Sequence, residues 1–206
     1  IKRAYEQRPE AITAWLKTEY PRIKRRAVAE GAAIHWGDET SLSTSDPRGR
    51  SFAPKGKTPV RPMLSQRRAV SFLSTVSNTG TLRFMVLKKP LDAPTLIKFF
   101  TRLCRDADRK VFVILDNLNV HKARAVRAWV AAHAEAIALF YLPAYSPELN
   151  PDEYLNGDLK LSVAKRAPAR DRDALLRTAT TRLRSLQRRP DQVKKFFHHP
   201  RVRYAA

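Results

Sequence analysis

The strongest constraint on the fold is a run of five apolar residues, Val111 to Leu115, that stops abruptly at Asp116. A strand that is apolar on both faces has to be covered on both faces, as the central strand of a parallel sheet is. A second apolar run extends from Ala136 to Leu142 and is closed by Pro143. The sequence therefore predicts two buried strands in a sheet that helices flank.

Three more strands are predicted ahead of these runs. A short apolar run over residues 32–37 leads directly into Asp38, as a strand that ends in an acidic turn does. Apolar and polar residues then alternate over 70–76 and over 82–86, on either side of turn-forming residues at 77–80. This pattern is typical of a β-hairpin.

Helices are predicted between and after the strands. Asp92 can cap a helix whose apolar residues recur at helical spacing over 96–104, and a second amphipathic segment surrounds Trp129. Ser146-Pro147 and Asn150-Pro151 both have the form of helix starts, because proline favours the first turn. The order strand, hairpin, helix, strand, helix, strand, helices indicates the α/β class with a mixed sheet.

Asp38 and Asp116 each follow a predicted strand directly. Ligands of such sheets bind beyond the carboxyl ends of the strands, so the two acids are expected to be neighbours in space. Two close carboxylates repel each other unless a cation lies between them, and oxygen ligands select hard ions, here Mg²⁺ or Mn²⁺. Two such ions roughly 4 Å apart can act on the attacking and leaving oxygens of a phosphoryl transfer. As an alternative, both acids are simple turn formers after strands.

A third acid is expected at the start of the helix that follows the last strand. Asp152 and Glu153 are adjacent there, and neighbours on a helix point about 100° apart, so only one of them can face the metals. Helical phase relative to Leu155 and Leu159 favours Asp152 for the inward face. Asn150 can also cap this helix without any catalytic role.

The basic excess indicates a polyanionic partner. The 206 residues hold 40 Lys and Arg against 19 Asp and Glu, and the formal charge of +21 exceeds what solubility requires. On charge alone, a protein that only neutralises phosphate is as well supported as an enzyme. Cys104 is the sole cysteine, which excludes an intramolecular disulfide and a thiolate metal cluster. With no apolar run long enough to span a bilayer, a soluble, cytoplasmic protein without a membrane partner is expected.

Double-stranded DNA is expected to contact the Lys- and Arg-rich loop that follows the first strand. Phosphate contacts of this kind carry affinity but little sequence information. For each of these residues, a solvated surface charge is the alternative. The predicted DNA-contacting residues are Arg48, Arg50, Lys55, Lys57, Arg61, Arg67 and Arg68.

Three blocks of the sequence carry a family resemblance. They are Ile34–Thr40, the Leu115-Asp116-Asn117 tripeptide with His121, and Leu142–Glu153. In this order, and with 36 residues between the second and third acids, they resemble mariner-like DDE transposases, in particular the bacterial insertion-sequence family 630 branch. The resemblance covers about residues 30–165.

The resemblance implies a ribonuclease H-like fold in which Asp38, Asp116 and Glu153 are the catalytic residues and hold two divalent metal ions. It also implies nicking of DNA at transposon ends and attack of the freed 3′-OH on target DNA, usually at a TA step, by a homodimer on paired ends. A bacterial, nucleoid-associated protein is expected. The family pattern selects Glu153 whereas helical phase favours Asp152, so the choice of the third acid stays open.

Four further residues are candidates for orienting the acids, the metals or a nearby base: Glu39, Asn117, His121 and Asn150. For Glu39 a role as a surface acid is an equal alternative, and for His121 a role as a helix-capping or surface residue is.

The chain is predicted to consist of a linker helix (1–30), a catalytic domain (31–165) and a basic C-terminal helical extension of that domain (166–206). Two other functions remain open. One is a ribonuclease H-like nuclease or resolvase that cuts without joining, and the other is a catalytically silent, basic DNA-binding protein.

Overall fold

In the computed structural model, residues 5–44, 53–58, 60, 66–166 and 169–206 are described. Within these ranges five strands form one mixed sheet, which confirms the predicted α/β class. The strands are β1 (Ala33–Ser43), β2 (Ala69–Ser77), β3 (Leu82–Leu87), β4 (Val111–Leu115) and β5 (Ile137–Tyr141). Their order is β3-β2-β1-β4-β5, with β3, β2 and β1 antiparallel and β1, β4 and β5 parallel.

Seven α-helices flank the sheet within the described ranges. They are α1 (Pro9–Ala14), α2 (Tyr20–Ala29), α3 (Ala93–Arg105), α4 (Arg124–Ala132), α5 (Pro151–Ala164), α6 (Arg172–Gln187) and α7 (Pro190–Lys194). A π-helical turn, Trp15–Glu19, joins α1 to α2, and 3₁₀ turns lie at Asn119–Lys122, Pro147–Leu149, Lys195–Phe197 and Arg203–Ala205. None of these helices has both the length and the apolar character needed to cross a membrane.

β1 is longer than the sequence predicted. The prediction ended this strand at Gly37 and placed Asp38 in a turn, but the strand continues to Ser43. β4 pairs only with residues 33–36, whereas β2 pairs with residues 35–43. The antiparallel partner satisfies the backbone hydrogen bonds of the polar part of the strand. The predicted acidic turn is therefore wrong, and Asp38 lies within a strand.

The two faces of the sheet pack against different helices. On one face, Trp36 and Ile114 join a core cluster with residues of α2, α5, α6 and α7. On the other face, Leu73 and Val113 join a cluster with residues of α3 and α4. Side chains alternate between the two faces along a strand, so Asp38 belongs to the same face as Trp36, the face that α5 covers.

The helical segment ahead of β1 packs into the first of these cores. Trp15, Tyr20 and Ile23 are at most 5 % exposed. The Tyr20 ring lies 5.9 Å from the Trp36 ring, measured between centroids. The helix predicted as a linker is thus a packed element where it is described, and the proposed domain boundaries stay a prediction.

Candidate active site

Neighbouring strands bring Asp38 and Asp116 to the same place. β1 and β4 pair in parallel, and Trp36 opposite Ile114 is their last pair. Asp38 lies two residues beyond Trp36, and Asp116 lies two residues beyond Ile114, so the acids continue the same register on the same face. They are neighbours, as expected from the sequence, and both line one cavity.

Glu153 reaches this cavity from the start of α5. Asn150 caps the helix, because its Oδ1 accepts a hydrogen bond from a backbone N–H of the first turn at 3.0 Å. The Asn150 Nδ2 donates to the Gly37 carbonyl at 3.0 Å, which fixes the start of the helix against β1 beside Asp38. Asp38, Asp116 and Glu153 consequently line a single cavity of about 530 Å³.

Asp152 and Glu153 occupy different environments although they are adjacent. Asp152 is fully buried and its Oδ2 accepts a hydrogen bond from the Ser74 Oγ at 2.7 Å, whereas Glu153 lines the cavity. Burial and the Asp38 carboxylate raise the pKa of Asp152 well above its ordinary value. Helical phase predicted the core-facing residue correctly, but the cavity lies beside the core, so the next residue along the helix reaches it.

Asp38 is surrounded by negative charge. Burial and the carboxylates of Glu153 and Asp116 raise its pKa to about 8, and a hydrogen bond shared with Glu153 acts in the same direction. The Glu39 backbone N–H donates to Oδ1 at 2.8 Å and lowers the pKa, and the Asn156 Nδ2 donates to Oδ2 at 3.0 Å. The neutral form of the Asp38 carboxyl is therefore favoured when no cation is bound.

Asp116 is supported by hydrogen-bond donors instead. Its Oδ1 accepts hydrogen bonds from the His121 Nδ1 at 2.9 Å and from the Leu118 N–H at 3.1 Å. Burial alone would raise the pKa of Asp116, but these hydrogen bonds and the nearby positive charge of Lys122 lower it. His121 is fully buried, so the alternative that it is a solvated surface residue is wrong.

Glu39 and Asn117 lie close to these acids but differ in their contacts. Burial raises the pKa of Glu39, the attraction of His121 opposes this, and Asp116 adds to the rise. Asn117 lines the cavity, but its Nδ2 donates to the carbonyl that follows β5 and its Oδ1 accepts from the Lys122 Nζ. Asn117 therefore joins the ends of β4 and β5.

Asn156 is a contact of Asp38 that the sequence analysis missed. It lies four residues after Asp152 on α5 and is 1 % exposed. Within the described part of the chain, neither the Asn156 Oδ1 nor the Asp152 Oδ1 has a hydrogen-bond partner. Its position on the buried face of a predicted helix could have indicated this contact. A buried polar residue costs stability unless it makes a specific hydrogen bond.

Gly37 allows the strands to pack closely next to Asp38. A Cβ atom at this position would lie 2.9 Å from the Leu115 Cδ2 and 2.9 Å from the Thr75 Cγ2. Real Cβ atoms do not approach other atoms this closely, so a side chain here would force the Leu115 and Thr75 side chains to move. Glycine thus permits the close packing of these side chains beside Asp38.

The donor set fits a hard divalent cation. Carboxylates from two strands and one helix face one cavity, and their repulsion contributes to the raised pKa of Asp38. As the side chains stand, no three Asp, Glu, His or Cys residues of the described ranges are close enough together to hold an ion. A cation would replace the hydrogen bond between Asp38 and Glu153.

The predicted DNA-contacting residues are only partly described. Arg48, Arg50 and Arg61 lie outside the described residues, whereas Lys55, Lys57, Arg67 and Arg68 are exposed. On the C-terminal helices, Arg182 donates two hydrogen bonds to Asp158, at 2.7 and 2.8 Å, and is committed to that pair. Phosphate contact by the four exposed residues stays a prediction.

A profile of the DDE superfamily endonucleases matches residues 33–176, which include β1, the cavity and α5. The chain belongs to this family. This confirms the resemblance carried by the three sequence blocks, while the bacterial branch stays a prediction. A comparison of the DDE endonuclease domain with curated proteins gave no match.

Solved structures of the Mos1 mariner transposase share the fold of this DDE endonuclease domain. The Mos1 strand transfer complex gives a TM-score of 0.67 at 17% identity, over 100% of this chain and 65% of the Mos1 chain. The Mos1 paired-end complex with the left transposon end gives a TM-score of 0.60 at 20% identity, over 95% of this chain and 64% of the Mos1 chain. The Mos1 catalytic domain with raltegravir and Mg gives a TM-score of 0.62 at 17% identity, over 100% of this chain and 98% of the Mos1 chain.

The DDE endonuclease domain thus spans about two thirds of the Mos1 chains in the first two complexes and nearly all of the isolated catalytic domain. At these identities the likeness is one of fold. It confirms the ribonuclease H-like sheet that the resemblance implied.

Proposed function

We propose that this chain is the catalytic domain of a DNA transposase, which cuts phosphodiester bonds at transposon ends and joins the freed 3′-OH to target DNA. The observation that carries the proposal is the meeting of Asp38, Asp116 and Glu153 in one cavity of a protein with a formal charge of +21. Membership of the DDE endonuclease family and the fold shared with the Mos1 transposase support it.

In this proposal, Asp38, Asp116 and Glu153 hold two divalent ions, Mg²⁺ or Mn²⁺. Both are hard ions that prefer carboxylate oxygens. Solved Mos1 paired-end complexes are described with Mg and with Mn, which supports the choice of metal. When bound, such ions activate the attacking oxygen and stabilise the leaving oxygen of an in-line displacement.

The residues of the chain set the orientation of the ligands. The His121 Nδ1 and the Leu118 N–H both donate to Asp116, and the Asn156 Nδ2 donates to Asp38. These donors hold the carboxylates in place before DNA binds. Groups that orient a metal ligand in this way contribute strongly to affinity and activity, so His121 and Asn156 are proposed as positioning residues.

Two phosphoryl transfers follow one another in the proposed reaction. In the first, water attacks a phosphorus atom and the bond from phosphorus to the 3′ oxygen breaks, which leaves a 3′-OH and a 5′-phosphate. In the second, that 3′-OH attacks a phosphorus atom of target DNA, whose own bond to a 3′ oxygen breaks as the strands are joined. Both are in-line displacements, so one cavity serves both. A TA target step is proposed from the family resemblance.

Double-stranded DNA is the proposed substrate, and a homodimer on two ends is the proposed active assembly. The Mos1 relatives are described as paired-end and strand transfer complexes, which supports this assembly. The exposed Lys55, Lys57, Arg67 and Arg68 are proposed to contact phosphates. Because such contacts release counterions, DNA affinity should fall steeply as salt is raised.

A cutting and joining assay tests the proposal. Supercoiled plasmid reports nicking in the presence of Mg²⁺, and a labelled, pre-nicked end reports joining. Asp116→Asn should abolish both reactions while DNA binding is retained. Asp108→Asn is the matched control, because Asp108 is 80 % exposed and lies outside the cavity, and it should act as the wild type does.

The alternatives give different results in the same assay. Cutting without joining would identify a nuclease or resolvase of this fold. DNA binding without any cutting would identify a silent DNA-binding protein. Cutting that persists in Asp116→Asn would overturn the assignment of the site.

A further inference from the structure

The cavity that contains the three carboxylates has a second, apolar wall. This wall consists of Leu118, Pro143, Ala144, Tyr145 and Pro147. Leu118 and Tyr145 are large hydrophobic side chains that remain exposed in the described structure, at 44% and 57% respectively. The chemistry proposed for the acids makes no use of this wall, so its exposure calls for another explanation.

The backbone of Tyr145 adopts a conformation that non-glycine residues rarely have. Its φ of 56° lies in the left-handed region, where the Cβ atom crowds the backbone. The Gln7 Nε2 donates to the Tyr145 carbonyl at 3.0 Å and to the Glu148 Oε1 at 2.7 Å. Ser146, the next residue, is buried. A hydrogen bond thus holds the Tyr145 carbonyl, while the Tyr145 side chain remains exposed at the cavity.

Leu118 connects the apolar wall to the acids. Its backbone N–H donates to the Asp116 Oδ1 at 3.1 Å, so its side chain begins next to a carboxylate of the site. Leu118, Tyr145 and the three acids all line the same cavity of about 530 Å³. A ligand whose phosphate lies at the acids therefore has an apolar surface within reach.

A nucleotide is the ligand that fits both walls. It joins a phosphate to a base with a flat, apolar face, and the formal charge of +21 selects polyanions. Aromatic side chains stack on any base, because every base has a π-face. A base within a duplex is already stacked between its neighbours, so only an unpaired or extruded base can use an exposed tyrosine.

We propose that the Tyr145 ring stacks on an unpaired nucleobase next to the phosphate that lies at the acids. Leu118 provides a second apolar contact on the same wall. The inference rests on the proposed function and adds to it a stacking subsite that favours DNA ends with unpaired bases. The ring of Tyr145 supplies the contact, and its hydroxyl is not needed.

Binding measured with Ca²⁺ in place of Mg²⁺ keeps a cation between the carboxylates and the phosphate while cutting is suppressed, which separates this subsite from catalysis. The probe is a short duplex with a single-stranded 3′ overhang that carries the fluorescent base pyrrolocytosine, and the reference is the same duplex with blunt ends. Wild-type protein should prefer the overhang probe and quench its fluorescence by stacking. Tyr145→Ala should weaken overhang binding about tenfold to a hundredfold and leave blunt-end binding within about twofold, whereas Tyr145→Phe should match the wild type.

Tyr5→Ala is the matched control, because Tyr5 is a fully exposed tyrosine that does not line the cavity. Both alanine variants should keep the wild-type unfolding temperature, since both side chains are exposed. If Tyr145→Ala lowered the binding affinity equally for the two probes, or did not lower it, the subsite would be overturned even if the protein cuts DNA. The absence of an overhang preference in the wild type would also overturn it, whatever the stability of the variant.

The two proposals fail in different ways. A Tyr145-dependent overhang preference in a protein that does not cut DNA would leave the stacking subsite in place and remove the proposed function. Cutting that depends on Asp116 without an overhang preference would support the proposed function and remove the stacking subsite.

Discussion

Asp38 and Asp116 face one cavity from neighbouring strands, yet their pKa values are shifted in opposite directions. Asp38 lies inside β1, where the sheet uses most of the surrounding backbone donors, and it meets the carboxylates of Glu153 and Asp116. Asp116 follows the end of β4, where the chain turns and supplies the Leu118 N–H and the His121 side chain. The donors that follow β4 thus lower the pKa of Asp116, whereas the donors to Asp38, the Glu39 N–H and the Asn156 Nδ2, do not offset its burial and the neighbouring carboxylates.

The contrast indicates where a cation has the largest effect. Positive charge near Asp38 would oppose the rise of its pKa, whereas hydrogen bonds already stabilise Asp116 as a carboxylate. The cavity therefore has an Asp38 side, where the carboxylate is not stabilised without a cation, and an Asp116 side, where hydrogen bonds already stabilise it. Four predictions test this division.

The largest effect is expected from removing the charge of the acids themselves. Asp38→Asn, Asp116→Asn and Glu153→Gln should each lower the cutting rate about a thousandfold or more, because a metal ligand contributes several kcal/mol of transition-state stabilisation. Asp152→Asn should stay within about tenfold of the wild type, since Asp152 is buried against Ser74 and outside the cavity. Plasmid nicking rates measure all four. Inactivity of Asp152→Asn with normal activity of Glu153→Gln would exchange the two assignments.

His121→Phe tests the Asp116 side of the cavity. Without the hydrogen bond from the His121 Nδ1, cutting should fall about tenfold to a hundredfold, as for other groups that orient a metal ligand. The acidic limb of the pH–rate profile should also move to higher pH, because the hydrogen bond that lowers the pKa of Asp116 is lost. His133→Phe, at the exposed C-cap of α4, is the control. A slower enzyme with an unchanged pH profile would argue for a purely structural role.

The affinity for Mg²⁺ should depend on pH because of Asp38. With a pKa of about 8 for Asp38, the cation has to displace a proton at lower pH, so affinity should rise about tenfold per pH unit up to pH 8 and then level off. Titration calorimetry in buffers of different ionisation enthalpy counts the released proton. Asp38→Asn should remove the dependence, and a pH-independent affinity in the wild type would contradict the raised pKa of Asp38.

The smallest expected effect is on the stability of the protein in EDTA. Because folding raises the pKa of Asp38, its contribution is fully present below the ordinary carboxyl pKa of about 4 and is lost as pH rises toward 8. The lowered pKa of Asp116 has the opposite sign, so that contribution is lost only as pH falls through the lowered pKa. Denaturant unfolding across this pH range should show a flatter profile for Asp38→Asn. A profile identical to that of the wild type would show that Asp38 is not the group responsible.

The sequence was sufficient to predict that Asp38 and Asp116 are neighbours. The apolar run Val111–Leu115 identifies a buried strand, and an acid at its end lies at the carboxyl edge of the sheet whichever helices cover it. The extension of β1 could not be predicted in the same way. The residues after Asp38 are mostly polar, and they form a strand only because β2 pairs with them. Asp38 itself lies opposite Ser74, 36 residues further along the chain. Long-range pairing of this kind leaves little trace in a local pattern.

The third acid shows a different limit. Helical phase distinguishes the side of α5 that faces the core, and it placed Asp152 there correctly. It does not show where the cavity opens relative to that core, which depends on how the Asn150 amide fixes the helix start to Gly37. Asn156 escaped the sequence analysis for a similar reason, because its hydrogen bond to Asp38 depends on how α5 lies against β1.

The long β1 strand has a consequence for how this protein can diversify. Beyond Asp38 the strand stays paired with β2 up to Ser43, and the Thr44 N–H then donates to the Arg68 carbonyl at 2.9 Å, which closes the pair of strands. Changes of length or sequence between residues 44 and 68 therefore leave the acid where it is. A relative could acquire a new set of basic contacts in that segment and recognise other DNA while its chemistry is inherited intact.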